Sequence, residues 1–111
     1  MRETYLVTGA TGFIGTNLVK YLVSKNKRVV VLTRQKKLNI WLSQLKGSIG
    51  VYQCDLLDKK LPKVIDEIKP DYIFHLASEK LAKTEEIKSI YEANFLGTVL
   101  LIEALKQNKF K

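Results

Sequence analysis

The chain has 111 residues, of which 46% are hydrophobic and 27% are charged, and this length and composition predict one globular domain. With 2 Pro and 6 Gly the sequence is neither collagen-like nor typical of disorder, and no apolar run approaches the roughly 20 residues of a membrane helix. The N-terminus lacks the regions of a signal peptide, and the single cysteine, Cys54, fits a reducing cytoplasm.

The net charge of +8 comes from the first half of the chain. No acidic residue lies between Thr4 and Cys54, whereas eight lysine and arginine residues do. This basic half could bind an anionic small ligand, bind nucleic acid, or simply be a solvated face. Because arginine is scarce and no aromatic side chains alternate with the basic ones, we expect nucleic-acid binding to be the weakest of the three readings.

Apolar spacing along the chain alternates between the periods of strands and helices. In chain order it predicts strand 5–7, helix 15–26, strand 28–33, helix 38–45, strand 49–54, helix 58–69, strand 72–77 and helix 84–109. The second and fourth strands are apolar without alternation, which is typical of strands covered on both faces. Asn94 and Thr98 fall on the apolar stripe of the last helix, so we expect both to be buried. This order predicts an α/β fold with a parallel sheet and helices on both faces.

Three glycines lie between the first strand and the first helix. Gly9 permits a sharp turn, Gly12 lets backbone N–H groups approach a diphosphate, and Gly15 lets helix and strand pack closely. The positive end of the helix dipole adds to an anion site at this point. The loop therefore predicts dinucleotide binding, and the alternative is a glycine-rich turn without chemical consequence.

The end of the second strand predicts which dinucleotide is bound. An NAD site normally has an acidic residue here, which accepts hydrogen bonds from the adenosine ribose. Residues 32–37 read Leu-Thr-Arg-Gln-Lys-Lys and contain no carboxylate. Arg34, helped by Lys36 or Lys37, would instead pair with a 2′-phosphate, so NADP is favoured and NAD stays an alternative. The other interpretation of Arg34 is an exposed residue at a strand end.

The string from residue 8 to residue 15 resembles the TGxxGxxG signature of the short-chain dehydrogenase/reductase superfamily. Three further segments resemble its extended branch of nucleotide-sugar epimerases, dehydratases and reductases. They are CDLLD at 54–58, DYIFHLAS at 71–78 and NFLGTVLLIEA at 94–104, and together the matches cover almost the whole chain. The resemblance implies a Rossmann-type sheet with strand order 3-2-1-4.

The resemblance also implies roles for particular residues. The diphosphate would be held by Gly9, Thr11, Gly12, Phe13, Ile14 and Gly15. The adenine would contact Asp55 and Leu56, and the nicotinamide ribose side would contact Leu76, Ala77 and Ser78. Asn94 would support the loop after the fourth strand, or else be a structural amide. We interpret His75 as a histidine of the strand core rather than a catalytic base.

The catalytic pair of this superfamily, Tyr-x-x-x-Lys on a helix after the fifth strand, has one match here, Tyr21 and Lys25. That pair falls in the first helix and points away from the nicotinamide, so we expect Tyr21 to pack on the sheet and no catalytic residue in this chain. We expect residues 1–111 to be a partial dinucleotide-binding domain that is truncated before the fifth strand and inactive alone. The fourth strand would then be an unpaired edge through which copies could associate as homo-oligomers.

The resulting functional prediction is an NADP-preferring dinucleotide-binding portion of an extended short-chain dehydrogenase/reductase. The full-length parent would act on a nucleotide sugar by hydride transfer to and from C4, in the cytoplasm and without a membrane partner. The alternative is a non-catalytic, NAD(P)-sensing regulatory protein of the same superfamily.

Overall fold

The computed structural model describes residues 2–35, 37–77 and 87–106, except the side chain of Ala93. It contains one four-stranded parallel sheet with the order β3-β2-β1-β4. The strands are β1 (Thr4–Thr8), β2 (Arg28–Thr33), β3 (Ile49–Gln53) and β4 (Tyr72–His75). The helices are α1 (Phe13–Ser24), α2 (Ile40–Ser43), α3 (Leu61–Ile68), α4 (Ile87–Tyr91) and α5 (Gly97–Leu105). The predicted α/β class and strand order are confirmed.

Two apolar cores lie on opposite faces of the sheet, because side chains alternate along each strand. On one face, Leu6 and Val30 belong to a cluster that includes the buried residues of α3 and α5. On the other face, Val7 and Val31 pack with buried residues of α1 and α2. Burial of β2 on both faces from residue 29 to residue 33 agrees with its unbroken apolar run.

Two hydrogen bonds join the first residue of β1 to the residue that precedes β4, at one end of the sheet. The N–H of Thr4 donates to the Asp71 carboxylate, and the N–H of Asp71 donates to the carbonyl of Thr4, both at 2.8 Å. β4 forms one edge of the sheet, and no strand in the described ranges pairs with its outer side. None of the helices described is long and apolar enough to cross a membrane.

β4 has no buried residue, although its apolar run predicted a strand covered on both faces. Three further local predictions differ from the structure. The helix predicted at 38–45 is a single turn, Ile40–Ser43. Within this turn Leu42 is buried, whereas Trp41 is 54% exposed. Tyr21 does not pack on the sheet: it is 59% exposed, and the Lys25 ammonium lies 5.7 Å from its ring centroid.

The third difference is Asn94, which is exposed rather than buried. A π-helical segment, Glu92–Leu96, lies between α4 and α5. No described residue from 87 to 96 is buried, and Ile87 and Tyr91, which precede this segment, are 65% and 59% exposed, so Asn94 is exposed together with the apolar residues around it. Thr98, the second polar residue of that predicted stripe, is half-buried.

Candidate functional site

A cleft of about 670 Å³ opens at the carboxyl ends of the four strands. This is the edge at which parallel α/β sheets bind ligands, beside the point where the strand order reverses. Eleven of the twelve residues predicted for the site line this cleft: Gly9, Thr11, Gly12, Phe13, Ile14, Gly15, Arg34, Asp55, Leu56, Leu76 and Ala77. Ser78, the twelfth, lies outside the described residues.

The tight turn after β1 requires two of its glycines for internal reasons. Gly9 has φ = +72°, and a Cβ there would lie 2.5 Å from the backbone nitrogen of Ala77. A Cβ at Gly15 would overlap the carbonyl oxygen of Gly9. Gly9 therefore lets the ends of β1 and β4 meet, and Gly15 lets α1 lie against the turn.

Gly12 differs from the other two glycines. Its φ of −79° and ψ of 175° are ordinary for any residue, and a Cβ there would meet only the Gly9 carbonyl oxygen, at 3.5 Å. Gly12 is also the N-cap of α1, where no side chain caps the helix and the first turn carries no acidic residue. The packing of the chain does not require a glycine here, whereas a diphosphate approaching the backbone N–H groups would. The turn thus fits the phosphates of a dinucleotide.

The end of β2 brings a positive charge to the cleft. Thr33 is buried and accepts a hydrogen bond from the N–H of Gln35 at 3.1 Å, while Arg34 is exposed and lines the cleft. Lys37 is exposed but is not one of the residues that line the cleft, and Lys36 lies outside the described residues.

The loop after β3 forms another wall of the cleft. Asp55 accepts a hydrogen bond from the N–H of Leu57 at 3.0 Å, which closes a turn and leaves the Asp55 side chain exposed. The backbone of Gly97 approaches Leu56, since a Cβ at Gly97 would lie 3.3 Å from the Leu56 Cδ1. Burial raises the pKa of the neighbouring Cys54 thiol, and the Asp58 carboxylate raises it further.

A chain of hydrogen bonds joins the ends of β1 and β4 to the last helix. Thr98 Oγ1 donates to the carbonyl of Asn94 at 3.0 Å, so it accepts from Nε2 of His75 at 2.8 Å. His75 Nδ1 then accepts from Thr8 Oγ1 at 2.6 Å, and Thr8 Oγ1 accepts from the N–H of Ala77 at 3.1 Å. The network selects one neutral tautomer of His75. Burial lowers the pKa of His75, which agrees with the neutral ring. These bonds support the interpretation of His75 as structural.

Other lining residues were not predicted from the sequence. Ser89 and Glu92 reach the cleft from α4 and the π-helical segment. The one sequence feature that points to them is Gly97, because a glycine there lets this helical region lie close to Leu56 on the wall of the cleft. No tyrosine or lysine is among the described residues that line the cleft, and Tyr21 and Lys25 lie outside it.

Comparison with known proteins gives a family match over nearly the whole chain. The model of the NAD dependent epimerase/dehydratase family matches residues 5–111. UDP-glucose 4-epimerase of Mycoplasma genitalium is 32% identical over 108 residues, covering 89% of this chain and 31% of that protein. UDP-N-acetyl-alpha-D-glucosaminuronate decarboxylase of Bacillus cytotoxicus is 32% identical over 115 residues, covering 100% of this chain and 35% of that protein.

Solved structures agree with the observed fold. UDP-glucose 4-epimerase of Thermus thermophilus, in complex with NAD, matches with a TM-score of 0.81 and 29% identity, covering 94% of this chain and 34% of that one. The chain thus spans about a third of the length of the relatives it matches.

Proposed function

Since the chain belongs to the NAD-dependent epimerase/dehydratase family, we propose that residues 1–111 are the dinucleotide-binding part of a nucleotide-sugar epimerase or dehydratase. The names of the two relatives above support a UDP-linked sugar as the substrate of the whole protein. When bound, the nicotinamide supplies hydride transfer, here to and from C4 of the sugar. The residues of this chain bind and orient the dinucleotide. The single buried cysteine supports a cytoplasmic location.

The observation that carries this proposal is the space in front of Gly12. The described residues leave room for a Cβ at this position, which supports a ligand, rather than packing, as the reason for the glycine. The N-terminus of α1, with no side-chain cap, presents a partial positive charge at the same place. In our proposal the turn from Gly9 to Gly15 holds the diphosphate, Asp55 and Leu56 contact the adenine, and Leu76, Ala77 and Ser78 contact the nicotinamide ribose.

We further propose that the site prefers NADP to NAD. Arg34 lines the cleft at the end of β2, where an NAD site would have a carboxylate. A guanidinium can pair with a 2′-phosphate through two parallel hydrogen bonds, and a hydrogen bond to a charged group contributes roughly 1.5–3 kcal/mol. At about 1.4 kcal/mol per tenfold in affinity, this predicts NADPH binding about 10- to 100-fold tighter than NADH binding.

Titration of the purified chain with NADPH and NADH tests both proposals. We expect Arg34→Asp to weaken NADPH binding by at least about tenfold and to abolish the preference over NADH. Lys46→Asp is the matched control, because it makes the same change of charge at an exposed residue that does not line the cleft. Equal binding of the two dinucleotides by the unmodified chain would contradict the NADP preference, and binding of neither would contradict the dinucleotide site.

These proposals have two alternatives. The Thermus thermophilus relative is in complex with NAD, which favours NAD as the dinucleotide. The second alternative is a regulatory dinucleotide sensor; the described lining residues include no tyrosine or lysine, as both this alternative and the proposed function predict. We therefore expect the chain alone to bind the dinucleotide but not to convert a UDP-sugar. Formation of an epimerised product by the purified chain would exclude this expectation.

A further inference from the structure

Asn39 lies outside the cleft but contacts the glycine turn, which forms one of its walls. It is the N-cap of α2, and its Oδ1 accepts a hydrogen bond from the N–H of Leu42 at 2.8 Å. Its Nδ2 donates to the carbonyl oxygen of Thr11 at 3.1 Å and to Oγ1 of Thr16 at 2.9 Å. One half-buried side chain thus joins the start of α2 to the glycine turn.

The hydrogen-bond partners determine the orientation of the Asn39 amide. The Leu42 N–H is a donor, so it must face the amide oxygen. Thr16 Oγ1 donates its proton to the carbonyl of Ala10 at 2.7 Å, so it can only accept from Asn39. Exchanging the amide oxygen and nitrogen would therefore break all three bonds, and the arrangement has a single solution.

These bonds hold two consecutive carbonyl groups of the glycine turn. The carbonyl of Ala10 is directed to Thr16, and the carbonyl of Thr11 is directed to Asn39, neither of which lines the cleft. In a trans peptide the N–H of the next residue points opposite to the carbonyl. The N–H of Gly12 accordingly reaches the carbonyl of Gly9 at 3.2 Å. The carbonyl oxygens of Ala10 and Thr11 are thus held away from the diphosphate position, where their partial negative charge would repel the phosphates.

We propose that Asn39 is a positioning residue for the diphosphate, acting through the carbonyl of Thr11. This inference rests on the proposed dinucleotide function.

The test separates the contact to the glycine turn from the capping of α2. Asn39→Ser keeps an N-cap of similar quality but removes the amide that reaches Thr11. Ser43→Gly is the matched control, since Ser43 is an exposed residue of α2 and a glycine there weakens the helix without touching the turn. The probes are ADP, which carries the diphosphate, and adenosine, which does not, both titrated by calorimetry.

We expect Asn39→Ser to weaken ADP binding by about tenfold, or about 1.4 kcal/mol, and to leave adenosine binding within about twofold. Amide hydrogen exchange at Gly12, whose N–H shares a peptide group with the Thr11 carbonyl and bonds to the Gly9 carbonyl, should become faster in Asn39→Ser and not in Ser43→Gly. Equal loss for ADP and adenosine, unchanged ADP binding, or the same loss in Ser43→Gly would overturn the positioning role. If the unmodified chain bound neither ADP nor NADPH, the proposed function would be wrong. Unchanged exchange at the Gly12 N–H in Asn39→Ser would instead show that Asn39 does not hold the Thr11 peptide group.

Discussion

Replacement of Gly12 by alanine separates a glycine kept for a ligand from a glycine kept for folding. At Gly12 the new Cβ meets only the Gly9 carbonyl oxygen at 3.5 Å, an ordinary van der Waals contact, and φ is −79°. At Gly9 the new Cβ would lie 2.5 Å from the Ala77 nitrogen, and φ is +72°. The substitution of glycine by alanine is therefore accommodated at position 12 but overlaps backbone atoms at position 9.

The magnitudes follow from these surroundings. Gly12→Ala should gain roughly 0.4–1 kcal/mol from the smaller entropy of the unfolded chain and lose a similar amount as a poorer N-cap, leaving stability within about 1 kcal/mol. Gly9→Ala costs roughly 1–2 kcal/mol for the left-handed conformation and roughly 1–3 kcal/mol for the overlap. The second sum is a large part of a typical stability of about 5–15 kcal/mol.

Urea unfolding and NADPH titration of both variants measure the two effects. We expect Gly12→Ala to unfold at nearly the unmodified urea midpoint and to lose at least about tenfold in NADPH affinity, since its methyl group occupies the diphosphate position. We expect Gly9→Ala to show a strongly lowered midpoint. Full NADPH affinity in a folded Gly12→Ala variant would refute the reasoning that the free space at Gly12 belongs to a ligand.

Two further predictions concern stability. Burial lowers the pKa of His75 in the folded chain, so the unfolded chain binds a proton at His75 more tightly. The free energy of unfolding should therefore be level above about pH 7.5. It should fall as the pH drops through about 6.5 towards the pKa of His75 in the folded chain. Because His75 is the sole histidine in the sequence, His75→Gln should remove this dependence between pH 5.5 and 8, and an unchanged dependence would exclude His75 as its source. Tyr21→Ala should change the free energy of unfolding by no more than about 0.5 kcal/mol, because Tyr21 is exposed, whereas Ile65→Ala should cost roughly 2–5 kcal/mol, because Ile65 is 0% exposed. Similar losses in the two variants, measured by urea unfolding, would show that Tyr21 is packed after all.

Interactions between near neighbours in sequence were the predictable part of this molecule. The apolar run of β2 and the glycine spacing after β1 depend on residues within one strand or one turn, and both agree with the structure. Once the strands are parallel, their carboxyl ends share an edge, so Arg34, Asp55 and Ala77 were expected at one cleft and are found there.

Helical periodicity predicted burial less reliably, because it assumes that the helix is regular and that its apolar side packs against another part of the protein. The segment predicted at 38–45 forms a single turn, so Leu38 and Leu42 do not share a long helical face. Asn94 is exposed because no described residue from 87 to 96, including the apolar Ile87 and Tyr91, is buried. Tyr21 satisfies the spacing of an apolar stripe but lies on the outer side of α1.

The sequence by itself determined the parallel sheet, the glycine turn and the positive charge at the end of β2, since each follows from local backbone preference and residue type. The tertiary structure alone decided the contacts between distant segments: the His75 bonds to Thr8 and Thr98, and the bonds from Asn39 to the glycine turn. It also decided that Gly12, unlike Gly9, has free space around it. The hydrogen bonds of His75 and the bonds from Asn39 to the glycine turn join residues 23 or more positions apart in the sequence, and periodicity along one segment does not encode such contacts.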